Sequence, residues 1–393
     1  MVSEKRRSVD FMAGLGANER ALLERVPTRP LRRLATAVVR AKMRLQFTGW
    51  LQYVVPLVPS SVLLSLGGLA QLVGLGWVAA GFAVVAGALF AVVLFDLVTV
   101  KLKVHLPERR PARNDQLNLF DLMRVRRSCR SFQTRFMSDD DREALLDSVA
   151  RHVAAPTLGP SRVRLEYIRG PITVWPTVNA AEFLVAIVPL PYDRRSVIDV
   201  GRTLQKVVME ATRQGLGTCW IGPGADHESL RQYLGDRFDP EEDQIICTCA
   251  VGYRSLYAPL FVRFFSRVIN HRLSPSELFF SDAALTTPID VGSPPYTQFG
   301  RTFEACQWAP SSYNGQTTRA VLKTTGDGVA GVDFYAVTSS RYYAPVALGV
   351  WCASWELGCE AMGLHGTFEV QPLGALEVPK LDVTWIPQGR GDG

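Results

Sequence analysis

Gly215-Leu-Gly-Thr-Cys-Trp-Ile-Gly222 closes a helix-like run, Asp199–Gln214, whose Val200, Leu204, Val207, Val208 and Ala211 recur on one helical face. The arrangement returns further along. An apolar helix-like run, Pro345–Met362, stops at Gly363-Leu-His-Gly-Thr367. Gly201 precedes the first Gly-Leu turn by fourteen residues, and Gly349 precedes the second by fourteen. Glycine at helix C-termini is common enough to produce one such match by chance. The equal internal spacing favours two related halves.

Working outward, helix-like and strand-like patterns alternate from 117 to 390. Ser138 followed by three aspartates and the run Arg142–Val153 reads as a capped helix. Glu182–Pro189 and Gln244–Tyr253 read as buried strands, Val332–Val337 as another, and Thr302–Trp308 as a short helix. Such alternation predicts α+β or α/β layers. The halves are expected at about 117–280 and 281–390, after a basic, proline-containing linker over 101–116.

The segment before the linker differs in kind. From Phe47 to Val100, 54 residues, the only formal charge is Asp96. That is more than twice the roughly 20 residues that cross a bilayer once. It divides near Gly74-Leu-Gly76 into Trp50–Val73 and Trp77–Val98, with Trp50, Tyr53 and Trp77 near the ends, where amphipathic aromatics prefer the interface. Pro56 and Pro59 should break or kink the first helix near its start. Arg32, Arg33, Arg40, Lys42 and Arg44 precede the pair, and Lys101, Lys103, Arg109 and Arg110 follow it. Basic residues on both flanks predict a two-span hairpin in the cell membrane, with both termini and the main domain cytoplasmic. A hairpin buried in a soluble protein fits the length and missing charge less well. The prolines leave open a hairpin that dips into one leaflet. A basic stretch of more than forty residues before the apolar run is too long for the n-region of a signal peptide.

Residues 1–46 carry eleven Lys/Arg against four Asp/Glu. The segment is expected to be partly helical and to lie on a surface, with apolar faces at Ala21-Leu-Leu23 and Leu31–Val39 broken by Pro27 and Pro30. Beside an apolar run, the lipid bilayer is the expected partner. No zinc-finger spacing or aromatic-interleaved basic patch points to nucleic acid. The seven cysteines, an odd number within apolar runs, read as buried reduced thiols. Cys247 and Cys249 should share one strand face. The five histidines show no metal-ligand spacing, and the chain has no HExxH, P-loop or GxSxG. Neither a metal nor a covalent nucleophile is proposed by the sequence, as expected where a cofactor carries the chemistry.

Three stretches could bind one. Arg126-Arg-Ser-Cys-Arg-Ser-Phe132 packs three guanidiniums and two hydroxyls into a compact anion-binding kit, or else a solvated basic face. Gly217 and its neighbours through Gly222 permit close backbone approach to a planar ligand, though a plain helix C-cap entering a strand explains them equally. They follow a helix, so they are no dinucleotide fingerprint. Ala309-Pro-Ser-Ser-Tyr-Asn-Gly-Gln316 is a turn dense in donors and acceptors, able to read a ring edge or to be an ordinary polar loop.

Taken together and in order, with Val251-Gly-Tyr253 and Ser274-Pro-Ser-Glu-Leu-Phe-Phe280, these stretches resemble the nitroreductase-like flavoproteins over roughly 117–375. The similarity is to the branch in which both halves lie on one chain. It implies an α+β fold, a three-layer α/β/α sandwich built as an intrachain pseudo-dimer, with one FMN site between its halves. By position, Arg126, Arg127, Ser128 and Arg130 would hold the ribityl chain and phosphate, with Arg272 adding to the phosphate. Pro310, Ser311, Ser312, Asn314 and Gln316 would line the isoalloxazine ring, and Gly217 and the backbone of Ile221 and Gly222 would approach it near N5.

The resemblance further implies an FMN-dependent oxidoreductase that takes electrons from NAD(P)H and passes them to an organic acceptor by ping-pong. The hairpin suggests a lipophilic acceptor, quinone- or nitro-like. A dehydrogenase of a biosynthetic intermediate and a non-catalytic flavin-binding membrane protein are the alternatives. Assembly into a homo-oligomer is left open. Two positions depart from the family: Thr317-Thr-Arg319 follows Gln316 where a tryptophan is frequent, and Ala347 stands where a polar residue is frequent. Arg390-Gly-Asp392 reads as a chance tripeptide in a terminal tail.

Overall fold

A computed structural model describes residue 26 and residues 28–172, 174–222, 227–268, 271–326, 328–372 and 377–388. Ala21-Leu-Leu23, Pro27, most of the basic segment before Arg29 and the Arg390-Gly-Asp392 tripeptide lie outside the described residues. The chain divides into two units. One holds residues 1–104 with Thr173–Trp175 and Pro259–Phe261, and the other holds the remainder.

In the first unit, α1 (Arg29–Phe47) is followed by α2 (Leu51–Val54), α3 (Leu57–Leu72) and α4 (Gly76–Asp96), which runs on into a π turn, Leu97–Lys101. Pro56 stands between α2 and α3, where its missing N–H and fixed φ interrupt the helix, as the sequence predicts. Gly74, at φ +80°, makes the tight turn between α3 and α4. Ser60 on α3 donates to the Ala86 carbonyl on α4 at 2.9 Å. Among the described residues two helices are long and apolar enough to cross a membrane: Leu51–Leu72, counted through the Pro56 break, and Gly76–Lys101. Their outer faces are bare apolar surface, with Leu72 84%, Trp77 81% and Val84 72% exposed. Asp96 is buried, and its carboxylate accepts the Leu260 N–H at 2.6 Å.

The second unit is a mixed α+β structure. α5 (Leu119–Val125) and α6 (Asp139–Val153) are capped by Asn118 and Ser138, whose side chains accept from Asp121 and Asp141 N–H. The first sheet contains β1 (Arg164–Arg169), β2 (Glu182–Pro189), β3 (Gly217–Ile221) and β4 (Asp243–Gly252), in the order β1-β2-β4-β3 and antiparallel throughout. β2 keeps the bounds read from its apolar run. α7 (Arg194–Arg213) starts five residues earlier than its periodicity indicates, because the Asp193 carboxylate accepts the N–H groups of Arg195 and Ser196. α8 (His227–Leu234), α9 (Leu260–Val268, whose first two residues belong to the first unit) and α10 (Pro275–Leu278) follow.

The second sheet contains β5 (Phe279–Phe280), β6 (Thr318–Thr325), β7 (Gly328–Ala336), β8 (Gly366–Val370) and β9 (Lys380–Pro387), in the order β5-β6-β7-β9-β8. β5 adds to it in parallel, so a segment placed by sequence in the first half completes the sheet of the second. α11 (Thr302–Gln307) and α12 (Tyr343–Ala361) complete the unit. α7 lies on the first sheet: Val200, Leu204 and Val207 pack with Leu184, Ala186, Cys247 and Cys249. α12 lies on the second: Leu348, Trp351 and Trp355 pack with Leu322, Phe334 and Trp385. The two helices cross directly at Gly201 and Gly349. All seven cysteines are buried and free.

Candidate functional site

The Arg126–Phe132 stretch leaves α5 and extends beside β3. Arg126 is the C-cap residue of α5. Ser128 pairs with Thr218 in a parallel bridge, and Cys129 N–H donates to the Thr218 carbonyl at 2.7 Å. This pairing explains Gly217: a Cβ there would stand 2.7 Å from the Cys129 side chain. Two of the three motifs are thus joined along one strand.

The third joins through Arg272, between α9 and α10. Its Nη1 donates to the Ala309 carbonyl and to Asn314 Oδ1, both at 2.9 Å. The Trp308 ring stacks with both Arg127 and Arg272, whose guanidinium carbons lie 4.5 and 5.5 Å from its centroid. Arg127 is close enough to depress Arg126 and Arg272, and Arg272 to depress Arg126. Burial first, then Arg272 and Arg127, pulls Arg126 down to about 9. Burial and then Arg127 pulls Arg272 down to about 10, and burial alone lowers Arg127. Among the described residues no carboxylate pairs with any of the three. Arg126 Nη1 and Arg272 Nε are buried with no hydrogen-bond partner. Buried, unpaired guanidiniums are costly, and an anion with several acceptor oxygens answers both the charge and the open donors.

Other predicted positions are placed differently. Arg130 Nη1 donates to Ser266 Oγ on α9 at 3.0 Å. Gln316 is buried, with Oε1 accepting the Leu273 N–H at 2.9 Å and Nε2 donating to the His271 carbonyl at 3.2 Å. Asn314 Nδ2 donates to the same carbonyl. Ser311 Oγ accepts the Gln316 N–H at 2.9 Å. These amides fasten the 309–316 loop to residues 271–273, while Pro310 is half-buried and Ser312 exposed. The fastening holds Tyr313, Asn314 and Gln316 in the left-handed region, at φ 51°, 55° and 45°. Such backbone costs on the order of 1 kcal/mol or more per residue.

At the end of β3, Ile221 is buried, and a Cβ on Gly222 would lie 2.9 Å from Tyr343 Cε1. Tyr343 opens α12. Burial, and then the neighbouring Tyr313, pushes its phenol up to about 12. Sequence reasoning passed over Trp308 and Tyr343. Trp308 adjoins the Ala309-Pro310 motif and could have been noticed there. Tyr343 lies 121 residues from Gly222 and carried no local signal.

The profile of the family described as "Putative TM nitroreductase" matches residues 118–358. Among solved structures, one described as a putative nitroreductase from Thermotoga maritima is 16% identical, covering 72% of this chain and 97% of that one with a TM-score of 0.43. A nitroreductase with bound FMN from Bacteroides fragilis is 16% identical over 37% of this chain and 92% of its own, with a TM-score of 0.30. One described as a putative nitroreductase in complex with FMN, from Desulfovibrio desulfuricans, is 18% identical over 40% of this chain and 99% of its own, with a TM-score of 0.28. None of the curated proteins compared matches this chain.

Proposed function

This chain belongs to the nitroreductase family described as "Putative TM nitroreductase", and from that premise we propose that it is a membrane-anchored, FMN-dependent oxidoreductase. The observation that carries the reading is the Arg126–Arg127–Arg272 cluster, in which Arg126 is buried and the other two half-buried, with open donors on Arg126 and Arg272 and, among the described residues, no paired carboxylate. A phosphate monoester suits it: two negative charges, several acceptor oxygens, and forked donors to meet them.

FMN, when bound, supplies the two-electron chemistry that these side chains lack, taking electrons from NAD(P)H and passing them to an organic acceptor in separate half-reactions. The chain's own residues do the rest. Arg126, Arg127 and Arg272 hold the phosphate charge, and Ser128 and Arg130 stand on the same stretch for the ribityl chain. The fastened 309–316 loop and the Ile221-Gly222 backbone would line the ring. Tyr343, protonated throughout the physiological range, lies against Gly222 and would cover that side of the ring.

The bare apolar faces of α3 and α4 support insertion of the hairpin, which holds the flavin domain at the cytoplasmic surface and favours a lipophilic acceptor. Detergent-purified full-length protein, incubated with FMN and desalted, should retain the visible absorption bands of the flavin and bleach on addition of NADH or NADPH. Desalted protein without those bands would overturn the flavoprotein reading. Release of the protein from membranes by alkaline carbonate would overturn the anchoring.

A further inference from the structure

We propose that α1 is a second membrane element, a helix lying in the plane of the interface and binding anionic lipid headgroups. The proposal rests on the anchoring read above and names its lipid partner.

α1 carries six basic residues and no acidic one in nineteen. Its side chains fall on three faces. Val39 is buried, with Ala35 and Met43, four residues to either side, packed against it on the inner face. Leu31, Leu34 and Val38 form a second, outward stripe, 53%, 62% and 60% exposed. Such a stripe in water forfeits the burial that each leucine or valine would otherwise gain. Arg33, Arg40 and Arg44 recur along a third face, about a third of a turn from the apolar stripe. Arg32, Arg33 and Arg40 line one recess with Thr36 and Ala37.

An exposed apolar stripe flanked by cations is the pattern of a helix that sinks its apolar side to the acyl boundary and keeps its charges at phosphate level. Its position supports the same occupant. α1 ends four residues before α2, which begins the first membrane-length stretch. At that junction Lys101 Nζ donates to the Thr48 carbonyl and sits 4.9 Å from the Trp50 ring centroid, an aromatic–cation pair suited to headgroup depth. The missing acids and excess cations select anionic over zwitterionic lipid.

Because every native cysteine is buried, a cysteine introduced at Val38, Thr36 or Leu66 can take a spin label in the full-length protein. The labelled proteins are reconstituted in vesicles of phosphatidylcholine with or without phosphatidylglycerol. Collisions with dissolved oxygen and with a water-soluble nickel chelate are then measured. With phosphatidylglycerol, the Val38 label should be oxygen-accessible and shielded from the chelate, and the Thr36 label the reverse. R33Q, R40Q and R44Q should each lower the ratio of shielded to exposed Val38 label about fivefold. Chelate access at Val38 in anionic vesicles, or shielding that does not depend on phosphatidylglycerol, overturns the proposal. So does dipolar coupling between Val38 labels, which would mean that a second copy covers the stripe. The Leu66 label separates the two readings: chelate access there sinks the anchoring itself, whereas shielding at Leu66 with exposure at Val38 sinks only the role of α1.

Discussion

Gly201 on α7 and Gly349 on α12 face one another reciprocally. A Cβ on Gly201 would collide with the carbonyl oxygen of Val346 and stand 2.9 Å from the Val350 nitrogen; a Cβ on Gly349 would collide with the carbonyl of Ile198 and stand 2.8 Å from the Arg202 nitrogen. Each glycine meets the residue three before and the residue one after its counterpart, as an approximate two-fold axis between the helices requires. A side chain on either would therefore meet backbone on both sides, which cannot move aside as a rotamer can. Gly201→Ala and Gly349→Ala should each destabilise the protein by about 3 kcal/mol, the upper end of ordinary overpacking. Urea unfolding midpoints test this; a midpoint unchanged in both variants would mean that the helices can separate freely.

Arg126→Met should separate stability from cofactor retention. Removing a buried, unpartnered guanidinium should leave the flavin-free protein as stable as before or stabilise it by about 1–3 kcal/mol. The same substitution should abolish the rise in melting temperature that FMN produces in the parent, since that rise reports binding to the folded state. Thermal melts with and without FMN give both quantities. An undiminished FMN-induced rise would remove Arg126 from the phosphate site.

Arg194 and Asp382 form a bidentate ion pair at 2.6 and 2.7 Å, both buried, tying the first turn of α7 to β9. Asp382→Asn should cost about 3–5 kcal/mol by leaving the guanidinium without its counter-charge. The double variant Arg194→Met, Asp382→Leu should recover most of that loss. Denaturant titration of the single and double variants tests the coupling; a double variant as unstable as the single one would refute it.

Asp199 gives the fold a pH dependence of defined sign. Its carboxylate accepts the Leu158 and Gly159 N–H groups at 2.7–3.0 Å, yet burial outweighs them and pushes it up from 3.8 to about 6. A carboxyl raised in the folded state contributes stability that is full below about 4 and lost as pH rises through about 6. The unfolding midpoint of Asp199→Asn should therefore vary less than the parent's between those values. Identical slopes in the two proteins would show that Asp199 titrates alike in the folded and unfolded chain.

Tyr343→Ala should leave FMN retention intact, because the arginine cluster is untouched, and should speed reoxidation of the reduced protein by dissolved oxygen as water and oxygen reach Gly222. Stopped-flow reoxidation measures this. An unchanged rate would show that Tyr343 does not cover the site.

Local chemistry was legible where the determinants are close in sequence. The apolar run of β2 fixed its bounds, Ser138 its helix start, Pro56 the break before α3, and Cys247 and Cys249 a shared face of β4. Asp193 was overlooked, although its cap moves the start of α7. The resemblance places Gln316 at the ring edge, and the structure ties its amide to the backbone of His271 and Leu273. A polar loop gives no sign of which backbone groups, forty residues away, will claim its side chains.

By itself the sequence determined the two membrane-length stretches, the strongly patterned helices and the apolar strands, the motif order and the paired glycine spacing, because these follow from hydropathy, periodicity and conformational preference along a short piece of chain. Only the tertiary structure decided that Phe279–Phe280 completes the second sheet, that Gly201 meets Gly349, that Trp308 stacks with two arginines, and that Arg126 ends buried with a donor left open. Those outcomes depend on which distant surfaces are brought into contact. Contact, through burial and the exclusion of water, turns part of a run of arginines that could have been a solvated face into an enclosed guanidinium with an open donor.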